Sequence, residues 1–387
     1  MAQIRPEYDL IVIGGGCAGL SLARLLIKQN SELHVLIVEH RAVYSDDRTW
    51  CFWAKQDHPL RDLETKSWGA WQFSTVDMSA CLHRPDNGLA YRCIKSISFY
   101  QRVQREIEHS SFISLMMPVR VKDCRQDTDF VTVVTDQGEF CSRWVIDTRQ
   151  RPDSATQNRF GQHFLGIEIE SDQDIFDDHV ARIMSDMQQD DYGFRFTYLL
   201  PFSKRHALIE ETRFTKGIPK ERLETDLQQT LVKQMRGIKF QERRREKGFI
   251  PMSCDAKPPV NNSHIIHAGV AAGAARPSTG YAFLRIQSWA SQCALSLSQE
   301  GIPQHQKQDP TWMQWADKLF LKVIEDPYTD KPETFLRLAR GMCPNHFVRF
   351  LSADAQIIDL ARAIYALPKK PFLAGLGSIS KIKRASR

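Results

Sequence analysis

The sequence predicts an α/β protein: a parallel sheet of dinucleotide-binding type, a second sheet of antiparallel type, and a helical C-terminal region. Three observations predict it. Tyr8 to Ile13 is a short β-branched run that ends at three glycines and leads into Leu20, Ala23, Leu26 and Ile27 at helical spacing. HFLGIEIE, FRFTYLLPF and HALIEETRF follow one another as strand-like patches between residues 163 and 214. After Pro303 the apolar residues fall at helical spacing, with Trp312, Trp315, Leu319 and Phe320 on one face and Phe335, Leu336 and Leu338 in the next segment.

With 387 residues, 42% hydrophobic and 25% charged, the chain can build a sizeable core and two or three packed units. Its 52 Lys and Arg against 46 Asp and Glu leave a net charge of +6, too little to argue for nucleic acid without a concentrated basic motif. Nine cysteines stand singly, with no CxxC pair and no paired histidines, which argues against zinc and against a disulfide framework. The start lacks a signal-peptide pattern, and no run approaches about 18 apolar residues. A cytoplasmic setting is expected, with contact at one membrane face left open.

The first βαβ unit closes with a second apolar run, Val35 to Val38, ending at Glu39. Gly14, Gly16 and Gly19 form GxGxxG directly after the first strand and at the start of the helix. Gly14 permits the tight turn, Gly16 lets the backbone approach a pyrophosphate, and Gly19 lets helix and strand pack closely. The helix N-terminus then favours an anion, and Glu39 can accept hydrogen bonds from a ribose. An adenine dinucleotide fits and an adenosine 2′-phosphate does not, but both FAD and NAD use this unit.

Further along, Asp46 to Trp53 is aromatic and mixed, and Phe130–Val134 and Phe140–Ile146 flank Asp136-Gln137-Gly138 as a hairpin. Arg149 to Gly161 is polar and reads as a crossing between sheets. Glu221 to Met235 is helical in pattern, and Ser263 to Phe283 returns to strand, Gly/Ala-rich turn and helix. The expected division is 1–160 with 255–300 as the nucleotide-binding domain, 161–254 as a substrate sheet, and 301–387 as a helical region with a basic tail.

GGGCAGL at Gly14–Leu20, DRTWCFW at Asp47–Trp53, LIEET at Leu208–Thr212 and AGVAAGAARPSTGYAF at Ala268–Phe283 together resemble the bacterial lycopene β-cyclases. The resemblance covers most of the chain to about residue 290. It implies an FAD-dependent carotenoid cyclase with the fold shared by aromatic hydroxylases and geranylgeranyl reductases, acting on lycopene and related carotenoids. NADPH or NADH would serve only as reductant. The cofactor positions it implies are Gly14, Gly16, Cys17, Ala18, Gly19, Glu39, Arg48, Asp147, Gly269, Pro277, Thr279 and Gly280. Two departures stand out: Gly269 is followed by Val270 where the wider group places an aspartate, and the strand ending in Asp147 lacks the glycine that usually follows.

Cyclisation of a lycopene end needs a proton delivered to a terminal alkene, stabilisation of the resulting cation, and loss of a proton. It consumes no electrons. Glu210 and Glu211 are the candidate catalytic pair, and strand alternation sends them to opposite faces. Glu210 shares a face with Leu208 and Thr212, whereas Glu211 shares one with Ile209 and Arg213, an arginine that would lower a carboxyl pKa. Glu210 is therefore the better proton donor. Solvated strand carboxylates are the competing reading. Trp50, Phe52, Trp53, Phe196 and Tyr198 are candidate substrate contacts, with core packing the alternative. Because lycopene dissolves in bilayers, a membrane surface is an expected partner. Trp312–Val323 and Ile357–Leu367, followed by Lys369, Lys370, Lys381, Lys383 and Arg384, are the candidate contact segments, at the inner face of the cell membrane. The competing activity is an FAD-dependent polyprenyl reductase or hydroxylase.

Overall fold

The protein was analysed as a computed structural model, which describes residues 6–149, 159–254, 264–352 and 354–376. Strand β1 (Tyr8–Ile13), helix α1 (Cys17–Lys28) and β2 (Val35–Val38) open the chain. All four residues of β2 are buried, as befits a parallel strand covered on both faces. Then come β3 (Thr49–Ala54), β4 (Lys66–Trp68), β5 (Ala70–Thr75), β6 (Ala80–His83), β7 (Ala90–Lys95) and α2 (Ser96–Glu108). Strands β8 (Ile113–Met116), β9 (Val121–Gln126), β10 (Val131–Thr135) and β11 (Glu139–Asp147) complete the N-terminal half.

The first sheet runs β8-β2-β1-β11-β10-β9. Its β8, β2, β1 and β11 are mutually parallel, and β10 and β11 form the hairpin expected around Asp136-Gln137-Gly138. Leu10, Val12, Leu20, Leu26, Phe99 and Val103 fill the layer between this sheet and its helices.

The second sheet is built from β12 (Gly161–Ser171), β13 (Val180–Asp190), β14 (Gly193–Pro201), β15 (His206–Thr215) and, after helix α3 (Lys220–Met235), β16 (Phe240–Pro251). Its order is β16-β12-β15-β14-β13-β5-β6. Strands β5 and β6 thus lie before residue 161 yet extend this sheet, β5 pairing parallel with β13. A boundary at 160/161 does not separate the two sheets. The reason is a long-range pairing, Val180 with Ala70, that no local pattern announces. The chain returns to the first sheet with β17 (Ile265–His267), parallel to the end of β11, and α4 (Phe283–Glu300).

Helices α5 (Thr311–Glu325), α6 (Lys331–Gly341), α7 (Pro344–Leu351) and α8 (Ile357–Ala366) follow. The second sheet therefore has two covered faces. One, with Ile167, Leu199 and Ile209, packs on Leu227 and Leu231 of α3; the other, with Phe73, Phe196, Leu208 and Phe214, packs under the C-terminal helices.

Candidate active site

Beneath the C-terminal helices lies a narrow cavity of about 60 Å³, walled by aromatic rings: Phe73 and Phe196, Tyr198 and Phe214 from the sheet, Tyr281, and Phe320, Phe335, Phe347 and Phe350 from the helices. Its polar lining is uncharged, namely Gln162, Ser278, Thr279 and the two tyrosine hydroxyls. Alternation along β14 puts Phe194, Phe196 and Tyr198 on this face, so two of the expected substrate contacts, Phe196 and Tyr198, do line it. Trp53 stands just behind the wall, its ring 5.1 Å from that of Tyr281 and 6.4 Å from Phe347. Trp50 and Phe52 do not reach the cavity. They stack on Phe283, at 5.3 and 5.0 Å between ring centroids, in the core of the first sheet.

The loop that closes one end of the cavity, residues 276–281, is pinned from below. Arg276 is 1% exposed and makes a two-pronged contact with the buried Asp317 of α5, which also accepts from Ser278 Oγ at 2.7 Å. A fully buried arginine must be paired, and Asp317 is that pair. Pro277, Thr279 and Gly280 take their positions from it, with Gln162 Nε2 donating to the Thr279 carbonyl at 3.0 Å.

Glu210 and Glu211 part to opposite faces as alternation requires. Glu211 is 2% exposed and points toward α3, where its Oε1 accepts from Thr197 Oγ1 at 2.5 Å and Thr230 Oγ1 at 2.6 Å. Burial pushes its carboxyl up to about 7, partly offset by those two hydroxyls and by Arg195. Arg213 does not lower it as expected, because its guanidinium is committed to Asp190 and Asp226. Glu210 faces the other way, half-buried, directly opposite Tyr198 of β14. It stands one residue back from the cavity wall rather than in it. Burial, then the nearby negative charge of Glu246, raises its carboxyl well above the usual range, against a 3.2 Å hydrogen bond donated by Thr212 Oγ1.

Glu210 shares its face with a carboxylate that nothing in the sequence singles out. Glu246 of β16 accepts from Arg244 Nη1 at 2.7 Å and Thr49 Oγ1 at 3.0 Å. Its sequence context, FQERRREKGFIP, reads as a solvated charge run, and its one signal is its position between the helical pattern of Glu221–Met235 and the return to strand after Ser263. Near it Glu168 is buried; burial alone would raise it, but hydrogen bonds from His206, Lys95 and Arg244 together hold it at about 2.

The glycine turn is built as its motif demands. A Cβ on Gly19 would stand 2.2 Å from the Gly14 carbonyl oxygen, so only glycine lets helix and strand approach. A Cβ on Gly16 would meet nothing within 4 Å. That open side lies at the N-terminus of α1, which has no side-chain cap and no acidic residue in its first turn. Cys17 and Ala18 occupy this turn, and the Cys17 thiol is pushed up to about 12 by burial. Glu39 accepts from the Gly15 N–H at 2.8 Å and from the Arg41 side chain at 3.0 Å, so an arginine already covers the carboxylate expected to meet a ribose.

Asp147 is likewise engaged, by the Arg149 guanidinium at 2.6 Å. Gly269, at φ +75°, lies 3.3 Å from Ala18 through its would-be Cβ, so the late turn closes on the first helix. Arg48 is exposed and donates to the Asp47 and Lys247 carbonyls.

The sequence model described as lycopene cyclase protein matches residues 9–376. The chain belongs to the lycopene cyclase family. It is 25% identical to the lycopene beta-cyclase of Paracoccus sp., over 95% of this chain and 98% of that one. This cyclase-family chain also resembles two solved structures. One is a geranylgeranyl bacteriochlorophyll reductase-like protein of Thermoplasma acidophilum, at TM-score 0.62 and 12% identity over 94% and 97% of the two chains. The other is the p-nitrophenol 4-monooxygenase of Pseudomonas putida, at 0.57 and 14% over 95% and 100%. At such identities the likeness is one of fold, and it bears out the expected α/β architecture.

Proposed function

We propose that this protein cyclises the acyclic ends of lycopene to β-rings, by protonation, ring closure and deprotonation, giving γ-carotene and then β-carotene. One observation carries the reading within the family: an aromatic cavity without a charged lining residue, beside a carboxyl whose pKa burial raises. Ring faces stabilise a cation without capturing it, which is what a carbocation intermediate needs. Glu210 acts as the proton donor, one residue back from the wall and next to Tyr198. Glu211, on the far face, keeps a structural role. A cavity of about 60 Å³ is far below the roughly 150 Å³ that holds a benzene. Helices α5 to α7 must therefore shift for a ring to form.

The residues of the glycine turn fit a dinucleotide: the open side of Gly16 and the uncapped start of α1 suit a pyrophosphate. Gly14, Gly16, Cys17, Ala18 and Gly19 would hold FAD there, with Glu39 reaching a ribose once Arg41 yields, and Asp147, Gly269 and the Pro277–Gly280 loop along its far half. Bound FAD, reduced by NADPH or NADH, would supply negative charge beside the cation. The exposed Arg48 opens onto a separate polar cleft and donates to the Asp47 and Lys247 carbonyls, and is left out of this set. Trp53 backs the substrate wall, and Trp50 and Phe52 are assigned to the core.

Membrane contact is assigned to α8. Ile357 is 70% exposed and Tyr365 85%, and Lys369 and Lys370 follow the C-terminal end of the helix. The other expected segment, Trp312–Val323, is a core helix instead, since Met313, Leu319, Phe320 and Val323 are buried by the helical layer. Lys381, Lys383 and Arg384 lie outside the described residues. Among the described residues no helix is long and apolar enough to cross a membrane.

The test is anaerobic incubation of the purified protein with FAD, NADPH and lycopene in liposomes. β-Carotene without matching loss of NADPH is the expected result. A hydrogenated product with stoichiometric loss would make the protein a reductase.

A further inference from the structure

The cavity face of the second sheet carries a glutamate in line with Glu210 that the proposed chemistry has not used. Across from Glu210 on β15 stands Gly166 of β12, and across from Gly166 on its other side stands Glu246 of β16. Registered neighbours project to the same face, so both glutamates lean over the one residue of that row without a side chain. Strands lie about 4.8 Å apart, which sets the two glutamate backbones about 10 Å apart, within reach of two such side chains. The gap is filled from Glu210's side already. A Cβ on Gly166 would stand 3.0 Å from Glu210 Cβ and 3.2 Å from its Cγ.

Glu246 is 6% exposed and accepts hydrogen bonds from Arg244 and Thr49. It also reaches a second, polar cleft of about 730 Å³, lined by Asp46, Arg48, Lys95, Arg244 and Lys247. Glu246 therefore has Glu210 on one side and a large polar cleft on the other.

We propose that Glu246 is a positioning residue that shares one proton with Glu210 and passes it a replacement from the cleft after each ring closure. The proposal rests on the reading of Glu210 as proton donor. The balance per ring is simple. The O–H bond of Glu210 breaks as a C–H bond forms on the alkene, and a C–H bond of the ring cation breaks to leave the double bond and release one proton. One proton enters from the cleft through Glu246, and no electrons are exchanged.

The other groups facing the pair are accounted for. Arg244 lies beside Glu246 on β16 and also pairs with Glu168 and Asp46. Glu168 on β12 is tied to Lys95 and His206. Thr212 donates from β15, and Tyr198 on β14 faces Glu210, with the Tyr281 and Tyr91 hydroxyls beyond it. Cys51 on β3, with Cys93 opposite on β7, stays protonated, its thiol raised first by Cys93 and then by burial.

Infrared difference titration of the purified holoprotein, without carotenoid, reads the protonated carboxyl directly. A Glu211→Gln background removes the other glutamic acid whose carboxyl burial raises. The carbonyl band of a protonated carboxyl should be present at pH 7 and absent after Glu210→Gln. In Glu246→Gln it should titrate away about one pH unit lower or more, a tenfold weaker hold on the proton, and the alkaline limb of the cyclisation profile should move with it. Glu246→Asp keeps the charge and should restore both.

A Glu246→Gln titration at the wild-type position, or a rate lowered equally at all pH values, would overturn the proposal. If the Glu246→Gln variant fails to fold, the Glu211→Gln protein decides. Two coupled carboxyls lose their protons in separated steps, and a single ordinary step would overturn it. Should the band behave as expected in a protein that forms no cyclic carotenoid, the cyclase reading fails while the shared proton stands.

Discussion

Glu211→Gln is expected to stabilise this protein above neutral pH while leaving cyclisation intact. The carboxyl is 2% exposed, and the gap between an ordinary 4.5 and about 7 corresponds to about 3 kcal/mol needed to ionise it in place. The sign follows from linkage: a folded-state pKa above the unfolded one means that the native state holds more protons between the two values. Stability linked to this proton is complete below pH 4.5 and is lost as pH rises through about 7. Glutamine keeps a carbonyl oxygen for the Thr197 and Thr230 hydroxyls and has no charge to bury. Urea unfolding of both proteins at pH 5 and pH 8.5 should show the variant gaining about 2–3 kcal/mol relative to the parent over that interval. Parallel stability curves, or an inactive variant with an intact fold, would refute the placement of Glu211 as a buried, non-catalytic acid.

Four further outcomes separate site from scaffold. Gly16→Ala should leave the melting temperature unchanged but weaken flavin retention, seen as a lower ratio of flavin to protein absorbance on purification. Gly19→Ala, facing the Gly14 carbonyl, should destabilise the fold itself. Asp317→Ala should cost about 3–5 kcal/mol, because it strands the buried Arg276, and a melting temperature within a degree of the parent's would contradict that. Replacing Ile364 and Tyr365, 53% and 85% exposed, by serine should reduce co-sedimentation with anionic liposomes without altering circular dichroism. Undiminished binding would remove α8 as the docking face.

Much of this was legible in the residues because it is local. Buried parallel strands read as unbroken apolar runs, so Leu10–Ile13 and Val35–Val38 stand out by themselves. The opposite faces of Glu210 and Glu211 follow from the two-residue period alone. What stayed hidden depends on pairing between distant segments. Strands β5 and β6 join the second sheet only because Ala70 meets Val180. Strand β16 is an edge strand, and charged residues that protect an edge erase the apolar alternation by which strands are found. Glu246 sits inside that charge run, and Gly166 within HFLGIEIE carries no signal of its own. Their significance exists only in register. Composition likewise could not tell Trp53, behind the cavity wall, from Trp50 and Phe52, in the core of the first sheet.

The most direct test of the account compares Glu210→Gln with the unsubstituted protein and Glu211→Gln, each loaded with reduced FAD and given lycopene in liposomes. The account predicts that Glu210→Gln retains its flavin and its melting temperature but forms no monocyclic or bicyclic product, while Glu211→Gln forms both. Ring formation by Glu210→Gln at the rate of the unsubstituted protein would contradict it.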